Sequence, residues 1–168
     1  MMSDHFGIRV ADMSDAAEIK HLFQDTVLTI NRQDYLPEEA ADWALCGAEI
    51  SHFEEIIKNQ YVLVAQDSRT AIVGFASITP SGYLHSMFVH KDCQNRGIAT
   101  RLLHEIERYA EDMGIKRITS EVSITARPFF ESKGFVVEAC QQRKAKHLYL
   151  TNYRMAKSAH TPKTPNQY

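Results

Sequence analysis

One stretch, from Tyr83 to Met113, limits what this chain can fold into more than any other. It opens with the apolar run Tyr83-Leu84-His85-Ser86-Met87-Phe88-Val89 and passes a polar turn, His90-Lys91-Asp92-Cys93. Beyond it, Ile98, Leu102, Leu103, Ile106, Ala110 and Met113 recur every three or four residues, the spacing of one helix face, while Arg101, Glu105, Arg108 and Glu111 fall on other faces. Gly114 follows as a left-handed cap. Between strand and helix stands Gln94-Asn95-Arg96-Gly97-Ile98-Ala99. Gly97 has no Cβ and Ala99 only a methyl group, so a ligand can approach the backbone closely there. The N–H groups of a first helical turn have no partner within the helix, and the helix dipole adds partial positive charge. Arg96 adds a full charge on a two-pronged donor. The combination suits a phosphate or diphosphate, and the same spacing also fits an ordinary strand-to-helix connection.

The rest of the composition narrows the class. A chain of 168 residues suits one domain, and 44% hydrophobic content supplies a single core. Nineteen Lys and Arg against 21 Asp and Glu leave a net charge of −2, which argues against a broad nucleic-acid or anionic-membrane surface. Cys46, Cys93 and Cys140 are odd in number and widely spaced, forming neither a disulfide framework nor a zinc pattern. The histidines lack ligand spacing, so no structural metal is expected. No run approaches the roughly 20 apolar residues of a membrane span, and no signal peptide is read before the first strand. A cytoplasmic protein is expected.

Taken in order, Phe6–Val10 reads as a strand. Ser14 is the expected cap of a helix whose face carries Ala17, Ile19, Leu22, Phe23, Val27 and Ile30. Asn31 to Leu36 reads as a loop, and Pro37 opens a second helix with Glu38 and Glu39 in its first turn. Ile50 to Ile57 is a third helical segment. Tyr61–Ala65 and Ala71–Thr79 read as a hairpin. Lys116–Val122 reads as a strand beyond the central helix, and strand, crossover helix, strand implies one parallel pair in an otherwise antiparallel sheet. Thr125 to Lys133 reads as a short helix capped by Thr125. Phe135–Glu138 is a strand, Gln141–Lys146 a polar turn, and His147–Met155 the last strand. The expected domain is 1–157, with a disordered tail over 158–168.

Gln94-Asn95-Arg96-Gly97-Ile98-Ala99 resembles the Gln/Arg-x-x-Gly-x-Gly/Ala signature of the GNAT superfamily of N-acetyltransferases. Ala126-Arg127-Pro128-Phe129-Phe130-Glu131-Ser132-Lys133-Gly134-Phe135 is similar to that family's Ala-x-x-Phe-Tyr-x-x-x-Gly-Phe helix. The order of elements matches the GNAT fold over residues 6–156. Asp34-Tyr35-Leu36-Pro37-Glu38 with Trp43, and the ending Leu148 to Met155, resemble a bacterial, YafP-like branch. The fold implied is α/β (α+β), one domain built on a mixed, mostly antiparallel seven-stranded sheet flanked by helices.

The resemblance implies acetyl-CoA as co-substrate. Gln94, Asn95, Arg96, Gly97, Ile98, Ala99 and Thr100 would hold its phosphates. Met87, Phe88 and Val89 would offer backbone groups to the acetyl carbonyl and pantetheine; they read equally as a core strand. Ser123 stands where many members have an Asn touching the pantetheine arm, and Phe130 where many have a Tyr serving as general acid. Phe130 has no proton to give, which leaves Tyr149 and Tyr153 as donors, or no donor, since a thiol of pKa about 8.5 leaves acceptably as the thiolate. The attacking amine needs a base. His85 falls where a family member carries a catalytic His, and Tyr83, two residues earlier, where others place a base. Both also read as ordinary strand residues.

Asp34, Tyr35, Glu38 and Trp43, with Tyr149, would form an acidic, aromatic-edged substrate site for a cationic amine. Trp43 reads also as packing between helices, and the acidic residues as a solvated helix start. The expected partners are a small-molecule or peptide amine and a second copy in a homodimer, with neither nucleic acid nor membrane. Three functions compete: an acetyl-CoA-dependent N-acetyltransferase, a domain that binds acyl-CoA without turning it over, and a nucleotide-binding domain using the same Gly97 loop.

Overall fold

Strand β1 (Phe6–Val10) leads into helices α1 (Ala16–Thr29), α2 (Pro37–Leu45) and α3 (Ile50–Asn59) in the computed structural model, which describes residues 5–159. Strands β2 (Tyr61–Asp67), β3 (Ile72–Ile78) and β4 (Leu84–Val89) follow, then α4 (Ile98–Asp112), β5 (Arg117–Ser123), α5 (Arg127–Ser132), β6 (Val136–Lys144) and β7 (Tyr149–Ser158). The seven strands form two antiparallel groups, β1-β2-β3-β4 and β5-β7-β6. They meet at one parallel bridge, Tyr83 to Thr119.

Strand β2 shows why the sheet is central. Val62 and Val64 face the layer of α1, α2 and α3, packing with Ile19, Phe23, Val27, Phe53 and Phe75. Leu63 and Ala65 face the other layer, against Leu102, Leu103, Ile106 and Ala110 of α4. Alternate residues of a strand point to opposite faces, so a strand covered on both sides reads as an unbroken apolar run. The second layer extends to Ile118, Val122 and Met155, so α4 bridges the two strand groups. No helix of the described residues is long and apolar enough to cross a membrane.

Three local expectations are corrected. The first cap is Asp12 rather than Ser14. The Asp12 carboxylate accepts from Ser14 N at 2.8 Å, and Asp15 accepts from Asp12 N at 2.8 Å, so a 3-10 turn, Met13–Asp15, precedes α1. Thr125 does not cap α5. Ala126 holds that position, and Ser123 Oγ accepts from its N–H at 3.1 Å. Gln141 to Lys144 continue β6 instead of turning. Polar residues are tolerated because this hairpin has water beside it, and they pair across it: Gln141 Nε2 donates to Asn152 Oδ1 at 2.9 Å and Gln142 Nε2 to Thr151 Oγ1 at 2.5 Å. Ala145–Leu148 makes the turn, and β7 runs through Ser158. Of the tail expected from 158, residues 160–168 lie outside the described residues.

Candidate active site

The two strand groups touch briefly and then part. At the contact, Thr119 N donates to Gly82 O at 3.0 Å and Ser120 Oγ to Leu84 O at 2.8 Å. A Cβ on Gly82 would lie 2.6 Å from Arg117 O, so the close approach needs a glycine. Beyond it β4 bulges. Ile78 pairs with Leu84 and Ser77 with Ser86, leaving His85 without a β3 partner. A bulge bends its strand and re-aims the extra side chain. From there β4 and β5 diverge, and a cavity of about 770 Å³ opens along the seam. Small-molecule sites occupy roughly 300–1,000 Å³.

The register decides which backbone groups reach the seam. His90 N donates to Val73 O at 2.8 Å, and bonding alternates along an antiparallel strand. Ser86 and Phe88 therefore bond towards β3, while Met87 and Val89 turn their polar groups the other way. This corrects the expectation for Phe88, whose backbone belongs to β3. Its ring lies among Phe23, Phe75 and Trp43, on the wall of the cavity. Val89 O takes Gln94 Nε2 at 2.6 Å and Thr26 Oγ1 at 3.4 Å. Met87 N–H and C=O and Val89 N–H remain on the open side.

At one end of the seam stands the start of α4. Gly97 is its N-cap at φ +81°, and no side chain caps it. A Cβ on Gly97 would meet nothing within 4 Å, so no packing within the chain explains this glycine. Its positive φ does, and the space beside it is open. Asn95 has φ +60°, which orients successive backbone groups around the turn. Gln94, Asn95, Gly97, Ile98, Ala99 and Thr100 line the cavity, and Arg96 does not. The Ile98 side chain is buried in the core, so its N–H is what faces the cavity. The Gln94 side-chain amide also donates to His90 O at 3.3 Å and ties the loop to β4.

At the other end stands His85. Its Nδ1 shares a hydrogen bond of 2.8 Å with Ser86 Oγ, leaving Nε2 free to face a ligand. The ring opens onto the cavity and keeps part of its surface open to solvent. Burial and the neighbouring His52, 6.3 Å away between ring centroids, push its pKa down, and Glu121 opposes them. The imidazole is therefore neutral at neutral pH. Tyr83 also lines the cavity. Burial, then Glu121, pushes its phenol up to about 12, so it holds its proton near neutrality. Phe130 is buried edge-on to Phe129 and Phe135 and closes the wall near α5. Ser123 lines the cavity, but its Oγ is engaged by Ala126 N. Thr125 Oγ1, on the same wall, is buried with no hydrogen-bond partner.

Several expected site residues are placed elsewhere. Tyr149 is 63% exposed and outside the cavity lining. Tyr153 is outside it too, its ring beneath the Arg127 guanidinium at 4.4 Å. Asp34 and Glu38 are exposed helix-start residues and do not reach the cavity. Tyr35 and Trp43 do line it, edge to face at 5.6 Å. The Tyr35 hydroxyl, however, donates to Thr151 O at 2.7 Å and accepts from Ile124 N at 3.0 Å, strapping β7 to the end of β5. Burial pushes this phenol up to about 12.

Sequence reasoning missed three groups. The buried Asp42 accepts from Lys146, His147 and Leu148 N through Oδ2, at 2.9, 2.8 and 3.0 Å. Burial opposes its charge, but those three amides outweigh it and hold the carboxyl below its usual range. Asp42 thereby docks the β6–β7 hairpin onto α2. Glu121 of β5 and Arg143 of β6, both on the cavity wall, form an ion pair at 2.8 Å. No helical period marked Asp42, since Glu38 and Leu45, four residues before it and three after, are both exposed.

Over 148 residues, 88% of this chain and 93% of the other, the sequence is 28% identical to the uncharacterized N-acetyltransferase YafP of Escherichia coli (strain K12). The crystal structure of a GCN5-related N-acetyltransferase (aminotransferase, class-II) from Rhodopseudomonas palustris superposes with a TM-score of 0.88 at 26% identity, covering 94% of this chain and 98% of that one. PaiA N-acetyltransferase from Thermoplasma acidophilum, in complex with coenzyme A, superposes with a TM-score of 0.75 at 16% identity over 92% of this chain and 99% of that one. Residues 31–157 match the acetyltransferase (GNAT) domain family. With that match spanning most of its length, the chain belongs to the GNAT acetyltransferase family.

Proposed function

We propose that the protein transfers an acetyl group from acetyl-CoA to a primary amine by direct attack of the amine on the thioester. The observation that carries this reading is the parted seam. One long cavity joins an uncapped helix start, suited to a diphosphate, to a strand edge with unused amides and a neutral imidazole. The coenzyme A complex of PaiA, which shares the fold, supports the choice of ligand.

The backbone N–H groups of Gly97, Ile98, Ala99 and Thr100 would bind the diphosphate, aided by the helix dipole. The unpartnered Thr125 Oγ1 would serve the pantetheine arm, and the Met87 and Val89 amides its thioester end. When bound, acetyl-CoA supplies an acyl group already activated for attack. An N–H aimed at the thioester oxygen stabilises the negative charge that grows there; losing one such donor is typically worth about 10²–10³-fold in rate. His85 Nε2 takes the proton from the amine. Phe130 contributes packing and no proton, and the thiolate departs unaided.

The test is thiol release from acetyl-CoA with a broad panel of amines. Amine-dependent release is expected. Tight acetyl-CoA binding with no release by any amine would establish the binding-only alternative, for which Phe130 is the supporting observation.

A further inference from the structure

The charges on the cavity wall say more about the acceptor, on the premise that the acyl-transfer reading holds. The acidic residues of the α2 start do not reach the cavity. Among the described residues its charged lining groups are Glu121, Arg143 and Lys144, besides the imidazoles of His52 and His85. Glu121 lies where β5 leaves β4, two residues beyond the Tyr83–Thr119 bridge, as His85 is on β4. Both titratable neighbours on β4 feel its charge. Arg143 reaches across β7 from the far strand to hold Glu121 at 2.8 Å. Opposite charges thus stand side by side on the wall of the cavity that His85 also lines.

We propose that the acceptor is an α-amino carboxylate with an apolar or aromatic side chain, its amino group between His85 and Glu121 and its carboxylate on Arg143. The ammonium and carboxylate of such a molecule are separated by one carbon, so they need opposite charges equally close together. Glu121 and Arg143 provide them. Four alternating charges in a ring attract more than they repel, and a guanidinium binds a carboxylate through paired donors. A diamine would bring its second ammonium towards Arg143 and Lys144, a like-charge contact. The neutral His85 does not repel the incoming ammonium. The rings of Tyr35, Trp43 and Phe88 line the same cavity, and with its hydroxyl engaged Tyr35 offers a ring and no polar group.

The experiment compares L-phenylalanine with phenethylamine, which has the same ring and amine but no carboxylate, by thiol release from acetyl-CoA. The readout is the ratio of their kcat/KM values, because general losses of folding or chemistry cancel in it. Wild-type protein is expected to favour phenylalanine by on the order of ten- to a hundredfold, the range for a hydrogen bond to a charged group. Arg143→Met should bring the ratio near one, and Arg143→Lys should restore part of it. Glu121→Gln should lower both rates and leave the preference for the carboxylate. A wild-type ratio near one, or a ratio unmoved by Arg143→Met, overturns the proposal. So does a protein that acetylates polyamines but neither test amine, which leaves the acyl-transfer reading standing. Release by no amine at all removes that reading, and this inference with it.

Discussion

His85 owes its place to a backbone irregularity. An extra residue in β4 at the Ser77/Ile78 step re-aims one side chain, and that side chain is the imidazole. Burial and His52 hold its pKa below the ordinary value of 6.5, with Glu121 working the other way. A base must be neutral to act, so the acid limb of kcat/KM should have its midpoint below that value. Removing the Glu121 charge by Glu121→Gln should shift the limb to still lower pH, because the opposing influence is gone. His85→Ala should lower turnover by about 10²–10⁴-fold and abolish that limb. Unchanged rate and pH dependence would remove His85 from the mechanism. Gly97→Ala should cost about 1–2 kcal/mol from positive φ alone. Since its Cβ touches nothing of this chain, weaker acetyl-CoA binding beyond that strain would report a clash with the ligand. The Gly97 turn was legible from its place between strand and helix, whereas His85 was singled out only through the family resemblance. Glu121 and Arg143 were not legible, because their pairing spans three strands.

Among elements, the seam is held open by groups that fasten what surrounds it. Gly82 allows β4 and β5 to touch before they part. Gly82→Ala combines φ +94° with a Cβ 2.6 Å from a carbonyl oxygen and should cost about 2–4 kcal/mol, measured by denaturant unfolding. Tyr35→Phe leaves Thr151 O and Ile124 N without their partner and should cost about 1–3 kcal/mol. Asp42 holds the hairpin that carries Arg143. Its folded pKa is depressed, so its contribution is present above the unfolded value of 3.8 and is lost as pH falls through the folded one. Asp42→Ala should speed hydrogen exchange at Lys146, His147 and Leu148 and raise KM for the amine more than for acetyl-CoA. The strands and helices themselves were readable from apolar period. The β6–β7 hairpin was not: Gln141 to Lys144 are polar because water lies beside them, and polarity imitates a turn. With β6 cut short, the facing of Tyr149 and Tyr153 could not be read, and neither lines the cavity.

At the scale of the molecule, helices cover both faces of β2 and β3, and α4 does two tasks. Its apolar stripe joins the two strand groups, and its uncapped start faces the gap between them. The central claim is that this gap takes acetyl-CoA in one direction, diphosphate at the helix start and thioester at the bulge. The most direct measurement is a backbone amide NMR titration with acetyl-CoA, with NAD in parallel. The largest shifts are expected at Gly97, Ile98, Ala99 and Thr100 and at Met87 and Val89, with no comparable response to NAD. Shifts confined to other surfaces, or an equal response to NAD, would contradict the claim.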